Sequence, residues 1–256
     1  MLNTVREHLS LFVSFLVVSL SHPKGHAIGI AEWYSPVEPG TGLHPRPSSA
    51  TALKTHFPEI DDSWSSVWYP SRRGEDLDGV HDRLAGFVSV FVPEVQRRFV
   101  ATPHKRILFV SHAATVIALA CALVGDRNLS FRPACCSITV LDRKAVAQGN
   151  SASDAVGGGD DGCGGWTPRI LGGGDHLKDG LQRDWGFEDV RIADGKVSGQ
   201  AHFANCRPRN LTSAFGLALT LRPAFLQVVN DPGVPGTEGE KDEPVGSQII
   251  QLSSRI

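Results

Sequence analysis

The stretch RILFVSHAATVIALACALVG, residues 106–125, is the part of the sequence that most constrains the fold. Its first half is a continuous apolar run from Ile107 to Val110, which is followed by Ser111 and His112. A short run that is apolar on both faces favours a central parallel strand covered by helices, although a buried helix gives the same pattern. The Ala-rich second half predicts a helix that begins after His112 and ends at Gly125.

Two further patterns flank this unit. Apolar residues between Leu77 and Val92 recur at spacings of three and four, which predicts an amphipathic helix that we expect Pro93 to interrupt. After the Ala-rich helix, the segment CSITVLDR at 136–143 alternates apolar and polar residues and predicts a second strand. Strand, helix and strand in this order favour an α/β sheet with right-handed crossovers.

Composition and charge limit the class of protein. The chain has 25 Lys and Arg against 27 Asp and Glu, a net charge of -2, so no overall field attracts nucleic acid or an acidic membrane. An anionic ligand would therefore need a local cluster of donors. The five cysteines show no C-x-x-C spacing of the kind that surrounds zinc, and this usage favours a reduced, intracellular protein.

The N-terminal residues leave two localisations open. LSLFVSFLVVSL at 9–20 is typical of a short signal-peptide core, and it is shorter than the roughly 20 residues that span a bilayer. Two N-glycosylation sequons, at Asn128 and Asn210, would fit secretion. The same run also fits a buried strand or helix. We expect a cytoplasmic or nuclear protein, or a secreted one if residues 1–21 act as a signal peptide.

Two residues have the setting of a chemical site. His112 lies where open α/β sheets build their sites, between a strand and the start of a helix. With Ser111 and the amide of Ala113 it would form one wall of an anion pocket, since a helix N-terminus offers unpaired N–H donors. A neutral core histidine fits the pattern equally. Glu32, beside Trp33, would be partly desolvated as a general acid is, or would be an ordinary surface glutamate.

Six segments in register resemble one family. In chain order they are GIAEWYSP, HPRP, FPEIDDSW, GEDLDGVHDRL, RILFVSHAATVIALACALVG and CCSITVLDR. They resemble branch 1 of the histidine phosphatase superfamily, above all fungal phosphoglycerate-mutase-like proteins and the related tau subunit of the RNA polymerase III assembly factor. The resemblance implies an incomplete, three-layer α/β fold with a mainly parallel sheet, a Gly-rich insertion and a partly disordered C-terminal tail.

The resemblance also implies a function. Family members hydrolyse phosphate monoesters through a phosphohistidine, without metal or cofactor. By motif, Glu32 matches their catalytic acid, and His112 matches the second histidine, which with Ser111 and Ala113 would bind the phosphate of a small phosphorylated substrate.

The chain also departs from the family pattern. It contains no Arg-His-Gly, which carries the nucleophile in the family, and it lacks the following Ser-Pro, Arg and Gln-Thr motif. Whether the chain is an enzyme therefore stays open, and we expect no efficient phosphatase activity. The alternative is a non-catalytic interaction or assembly module of the same fold, as in RNA polymerase III transcription, which would bind protein partners. Neither direct nucleic-acid binding nor a membrane span is expected.

The same comparison divides the chain into five parts. Residues 1–24 are a non-homologous apolar N-terminus, which is either signal-like or a gene-model artefact, or else supplies a strand or helix in place of the family's missing one. Residues 25–145 are a truncated phosphoglycerate-mutase-like domain. A Gly-rich linker at 146–174, a C-terminal family extension at 175–230 and a disordered tail at 231–256 follow.

Overall fold

A computed structural model describes residues 15–17, 24–46, 48–64, 66–99, 106–144, 162–191, 227–228 and 232–242. These residues combine helices and strands, as the α/β prediction requires. The helices are α1 (Ala50–Lys54), α2 (Leu77–Arg98) and α3 (Ala113–Val124), with 3₁₀ turns at Ile28–Ile30 and Phe187–Asp189. The strands are β1 (Phe15–Val17), β2 (Lys24–His26), β3 (Leu108–Val110), β4 (Ile138–Arg143), β5 (Trp166–Gly173), β6 (Val190–Arg191) and β7 (Gln227–Val228).

Helix α2 is the long amphipathic helix that the apolar spacing predicts. Asp76 caps its N-terminus, where the carboxylate accepts a hydrogen bond from the Gly79 amide at 2.7 Å. The expected interruption at Pro93 is wrong, since the helix continues to Arg98. Pro93 lies on the exposed side of the helix, where the carbonyl that its missing N–H leaves unpaired can bond to water.

Helix α3 and its end at Gly125 are confirmed. Gly125 adopts the left-handed conformation with φ of 77°, and its amide donates to the carbonyl of Cys121. Burial raises the pKa of the Cys121 thiol to about 11, which makes this cysteine an inert part of the core. Among the helices of the described ranges, none combines the length and the apolar character needed to cross a bilayer.

The sheet around β3 differs from the parallel sheet that we expected. β3 pairs antiparallel with β1, and β1 pairs antiparallel with β2, so β3 lies at the edge of a three-stranded sheet. Leu108 and Val110 remain 54% and 46% exposed, while Phe109 packs against the core. The helices therefore cover one face of β3, and the prediction of a central parallel strand covered on both faces is wrong. Part of the N-terminal apolar run supplies its neighbouring strand.

Strand β4 is confirmed, but its partner lies within the segment assigned as a Gly-rich linker. β5 pairs antiparallel with β4, from Ile138 opposite Gly173 to Arg143 opposite Trp166. Among the described residues, the linker assignment thus does not apply to 166–173. Trp166 packs against the core cluster, which gives this strand an apolar anchor despite the neighbouring glycines.

The core lies between α2, α3 and β3. Phe87 and Phe91 on α2 stack with ring centroids 4.9 Å apart, and Phe109 of β3 meets Phe91 edge-on at 5.4 Å. Ala118 and Leu119 of α3 close the other side. This packing brings the start of α3 beside the 3₁₀ turn that precedes Glu32.

Residues 232–242 belong to the region predicted as a disordered tail, and the structure places them against the domain. Val234 forms an antiparallel bridge with Leu43. The Asp242 carboxylate accepts hydrogen bonds from the Ser71 hydroxyl at 2.6 Å and from the Arg72 amide at 3.0 Å. The Arg72 side chain pairs with Glu240 at 2.6 Å. Its guanidinium is thus engaged by the Glu240 carboxylate and, through Nε, by the His44 carbonyl at 2.9 Å.

Candidate functional site

The backbone just before Glu32 is held in place by hydrogen bonds to its carbonyl groups. The 3₁₀ turn Ile28–Ile30 is buried, and residues at the start of α3 donate to the carbonyls at the end of this turn. The Ser111 hydroxyl donates to the Ile30 carbonyl at 2.6 Å, and the Thr115 hydroxyl donates to the Ala31 carbonyl at 2.7 Å. Because both donors belong to the β3–α3 junction, the backbone before Glu32 is tied to the place where His112 lies.

A buried ion pair supports the same backbone from the side of α2. The Arg83 guanidinium donates to the Gly29 carbonyl at 2.8 Å, to the Ala31 carbonyl at 3.3 Å and to the Glu75 carboxylate at 2.9 Å. Burial raises the pKa of Glu75, while the positive charge of Arg83 opposes that shift. Arg83 therefore serves the scaffold, because these bonds direct its Nε and Nη1 groups at neighbouring main chain and at Glu75.

Glu32 and His112 lie in direct contact. His112 is the N-cap residue of α3, but its side chain makes no capping bond to the helix. Its Nδ1 atom lies 2.7 Å from Oε2 of Glu32, and the other carboxylate oxygen accepts from the Trp33 amide at 2.9 Å. The side chains of His112 and Glu32 are 29% and 28% exposed, so solvent and small solutes reach the pair.

Ser111 and Ala113, the other two predicted site residues, differ in whether they could contact an anion. The hydroxyl proton of Ser111 is used on the Ile30 carbonyl, so in this conformation Ser111 positions backbone and is not directed at an anion. Ala113 is the first residue of α3, where backbone amides have no intrahelical acceptor and remain available to a ligand. Within the described ranges, no cluster of three or more His, Cys, Asp and Glu side chains could hold a metal ion.

The site combines an imidazole with the start of a helix. The carboxylate fixes the imidazole through Nδ1, which turns the Nε2 edge of the ring away from Glu32. The first amides of α3 supply further N–H groups and the positive end of the helix dipole. A carboxylic acid, an imidazole and a helix N-terminus are thus contributed by two segments that are distant in the chain.

Comparison with known proteins adds one relative. The chain is similar to the transcription factor tau 55 kDa subunit of Saccharomyces cerevisiae. The two are 33% identical over 102 residues, which are 39% of this chain and 22% of the yeast protein. No family model matches the chain. The expected likeness to a tau subunit is confirmed over this part, whereas membership of the histidine phosphatase superfamily stays a prediction.

The match is limited in length. This chain spans about a fifth of the yeast subunit, so the activity and partners of the whole subunit do not carry over directly.

Sequence reasoning missed Arg83. It lies on the apolar face of α2, since it follows Val80 by three residues and precedes Phe87 by four. A charged residue on an apolar stripe is a usable signal, because burying a charge requires a partner. The sequence does not reveal that partner, since Glu75 comes before the helix and meets Arg83 only when the chain folds.

An aromatic group beside Glu32 was also missed. Trp33 meets Trp185 edge-on at 6.2 Å and Phe187 at 5.6 Å between ring centroids. The sequence marks both distant rings as members of an apolar set, but it does not indicate where they pack. The structure places them directly against the residue that follows Glu32.

Proposed function

We propose that this chain is a non-catalytic interaction module that assembles with protein partners in a transcription factor of the tau type, and thus acts in the nucleus in RNA polymerase III transcription. The similarity to the yeast tau 55 kDa subunit carries this proposal. That relative is by name one subunit of a transcription factor, and a subunit assembles with other chains.

The chemistry of the candidate site is consistent with a non-catalytic role. A histidine phosphatase needs a nucleophilic histidine and arginines around the phosphoryl oxygens. The 256 residues contain no Arg-His-Gly, and both carboxylate oxygens of Glu32 accept hydrogen bonds, from His112 and from the Trp33 amide. An acid engaged in this way orients its histidine, and it would have to leave this arrangement to protonate a leaving group.

Reconstitution tests the assembly role. The purified chain is mixed with the remaining subunits of a tau-type factor from the same source, and complex formation is followed by size-exclusion chromatography with light scattering. We expect co-elution at defined stoichiometry that does not require the Glu32–His112 pair, so that His112→Ala behaves as the native protein does. Separate elution of the chain and the other subunits would contradict the proposal.

A second candidate function is the binding of a phosphate monoester at the Glu32–His112 pair. It is favoured by the 2.7 Å contact between the two residues at the N-terminus of α3, where N–H donors are available. In this role His112 and the Ala113 amide contact the phosphate, Glu32 orients His112, and Ser111 holds the backbone of Ile30.

A phosphate titration and an aryl phosphate assay test the second candidate. Binding of inorganic phosphate that is lost in His112→Ala, without hydrolysis of the ester, supports an anion site in a non-catalytic protein. Hydrolysis that is lost in His112→Ala would instead make the protein a phosphatase with an unrecognised nucleophile. No binding in either protein would remove the second candidate and leave assembly as the single proposed role.

A further inference from the structure

We propose that residues 182–189, here called the Trp185 clamp, position Glu32, and that Arg132 is the positioning residue that holds the clamp closed. The extension at 175–230 has no role by resemblance. The structure brings its described part against the residue next to Glu32, although the two are separated by about 150 residues of chain.

Arg132 gathers three carboxylates of the clamp. Its guanidinium donates to Asp184 at 2.8 Å, to Asp189 at 2.6 Å and to Glu188. One planar guanidinium with several donors serves all three partners, so the side-chain entropy of Arg132 is lost once for three bonds. Such a network orders a segment more effectively than an isolated surface ion pair does.

Main-chain bonds set the path of the clamp beside Arg132. The Cys135 amide donates to the Gln182 carbonyl at 3.1 Å, and the Trp185 amide donates to the Pro133 carbonyl at 3.0 Å. The Asp189 carboxylate also accepts from the Gly186 amide at 3.0 Å, which closes the turn around Trp185. The clamp is therefore attached to residues 132–135 at both its start and its aromatic tip.

The aromatic tip of the clamp presses on Trp33. Trp185 and Phe187 lie 5.2 Å apart and meet each other and Trp33 at steep angles of 62° to 77°. Edge-to-face contacts of this kind stabilise the rings beyond the effect of their burial. On its other side the Trp33 indole donates to the Glu75 carbonyl at 2.9 Å, so the ring is held between the clamp and the scaffold.

Trp33 transmits this restraint to Glu32 through its own backbone. The Trp33 amide donates to Oε1 of Glu32 at 2.9 Å, while Oε2 contacts His112 at 2.7 Å. If the clamp opens, the Trp33 ring loses one of its two supports, and the amide that orients the carboxylate is free to rotate. The orientation of Glu32 towards His112 thus depends on Arg132.

Nuclear magnetic resonance of the full chain tests this link without any ligand. The backbone amide resonance of Trp33 reports its bond to the carboxylate, and Glu32→Gln defines the position without that charge. We expect Arg132→Gln to move the Trp33 amide in the same direction as Glu32→Gln does. Arg132→Lys, which keeps one charged donor, should restore part of the native position. Arg169→Gln is the matched control, since Arg169 is an exposed arginine with a single carboxylate partner, Asp142, at 2.9 Å.

The opposite result would overturn the proposal. If Arg132→Gln shifts the Trp185 indole resonance but leaves the Trp33 amide and the His112 ring unchanged, the clamp opens without any effect on Glu32. If that variant does not fold, Asp184→Asn removes one arm of the network and is read by the same resonances. An unchanged Trp33 amide in a folded Asp184→Asn protein whose Trp185 has moved would also refute the link.

Phosphate titration then relates the clamp to the anion site, a step that depends on the second proposed function. If the native chain binds inorganic phosphate, Arg132→Gln should weaken binding, and the loss should disappear when Glu32 is already Gln. Equal losses in both backgrounds would show that Arg132 does not act through Glu32. If the native chain does not bind phosphate, the anion site fails, while the amide resonances still decide the role of the clamp.

Discussion

Two side-chain pairs, Glu32 with His112 and Glu75 with Arg83, are both joined to Trp33 and differ in their access to solvent. Glu32 and His112 are each a little under one third exposed, whereas the side chains of Arg83 and Glu75 are 2% and 11% exposed. If one member of the exposed pair is removed, solvent or a ligand can contact the other. Solvent hardly reaches the buried pair, so removal of one member leaves the charge of the other unpaired. Similar chemistry therefore serves a site in one place and the scaffold in the other.

The two pairs are joined through shared backbone. Arg83 and Thr115 both donate to the carbonyl of Ala31, the residue before Glu32. Trp33, the residue after Glu32, donates its indole N–H to the Glu75 carbonyl. The buried pair thus defines where the backbone of Glu32 lies, and the exposed pair uses that position. This arrangement predicts that damage to the buried pair reaches the exposed one, while the reverse effect is small.

Removal of Arg83 should have the largest effect and tests most directly whether the buried pair serves the scaffold. Arg83→Leu should lower the free energy of unfolding by about 3–5 kcal/mol, because it leaves Glu75 without its charge partner in a buried position. The carbonyls of Gly29 and Ala31 also lose a donor. Urea unfolding followed by tryptophan fluorescence measures the change.

Arg97→Leu is the control for that measurement. Arg97 is 73% exposed and pairs with Glu94 within the same helix, so its loss should cost about 0.5 kcal/mol or less. Comparable losses in the two variants would show that burial does not distinguish these ion pairs, and the contrast between scaffold and site would fail.

Gly74, the residue before Glu75, gives the next largest expected effect. It has a φ of 79°, and an added Cβ would clash with the Ser35 carbonyl, close to Glu32 in the chain. Gly74→Ala should cost about 2 kcal/mol or more, from the left-handed conformation together with the clash. Gly40→Ala is the matched control, since its φ is 82° but nothing lies within 4 Å of the added Cβ. Equal losses in the two variants would exclude the clash as the cause.

The sequence predicts what depends on local pattern and fails where distant segments meet. Helices α2 and α3 are visible because their apolar spacing and the glycine stop act within a few residues. The N-terminal apolar run can be offered as a substitute strand, but its antiparallel pairing with β3 cannot be predicted, because it joins segments about 90 residues apart. The register of β4 with β5 is hidden for the same reason, since glycines obscure the apolar residues of β5.

The candidate site divides in the same way. Local context leaves Glu32 and His112 open between a site and an ordinary residue, and both are selected because the segments around them resemble family motifs. Arg132 has no such context, since its three carboxylate partners lie 52, 56 and 57 residues further along the chain. Residues that position a site, such as Arg132, are therefore harder to predict from the sequence than the site residues themselves.

The pH dependence of stability provides a finer test of the buried pair. Burial raises the pKa of Glu75 in the folded state, so its contribution to stability is present below about pH 4.5 and is lost as the pH rises through the folded-state value. Glu75→Gln cannot ionise. Its free energy of unfolding should therefore rise relative to that of the native protein as the pH increases above about 4.5, the ordinary pKa of glutamate. If the difference in free energy of unfolding between the two proteins does not change with pH, the pKa of Glu75 is not raised in the folded state.

The smallest expected effect on stability concerns the exposed pair. Glu32→Gln and His112→Ala should each change the free energy of unfolding by about 1 kcal/mol or less, because solvent replaces the lost contact. Phosphate binding, if the chain has it, should fall far more in His112→Ala than stability does. Urea unfolding and a phosphate titration on the same samples measure both quantities. A loss of stability like that of Arg83→Leu would show that Glu32 and His112 belong to the scaffold, since a pair that can exchange partners with a ligand must be dispensable for folding.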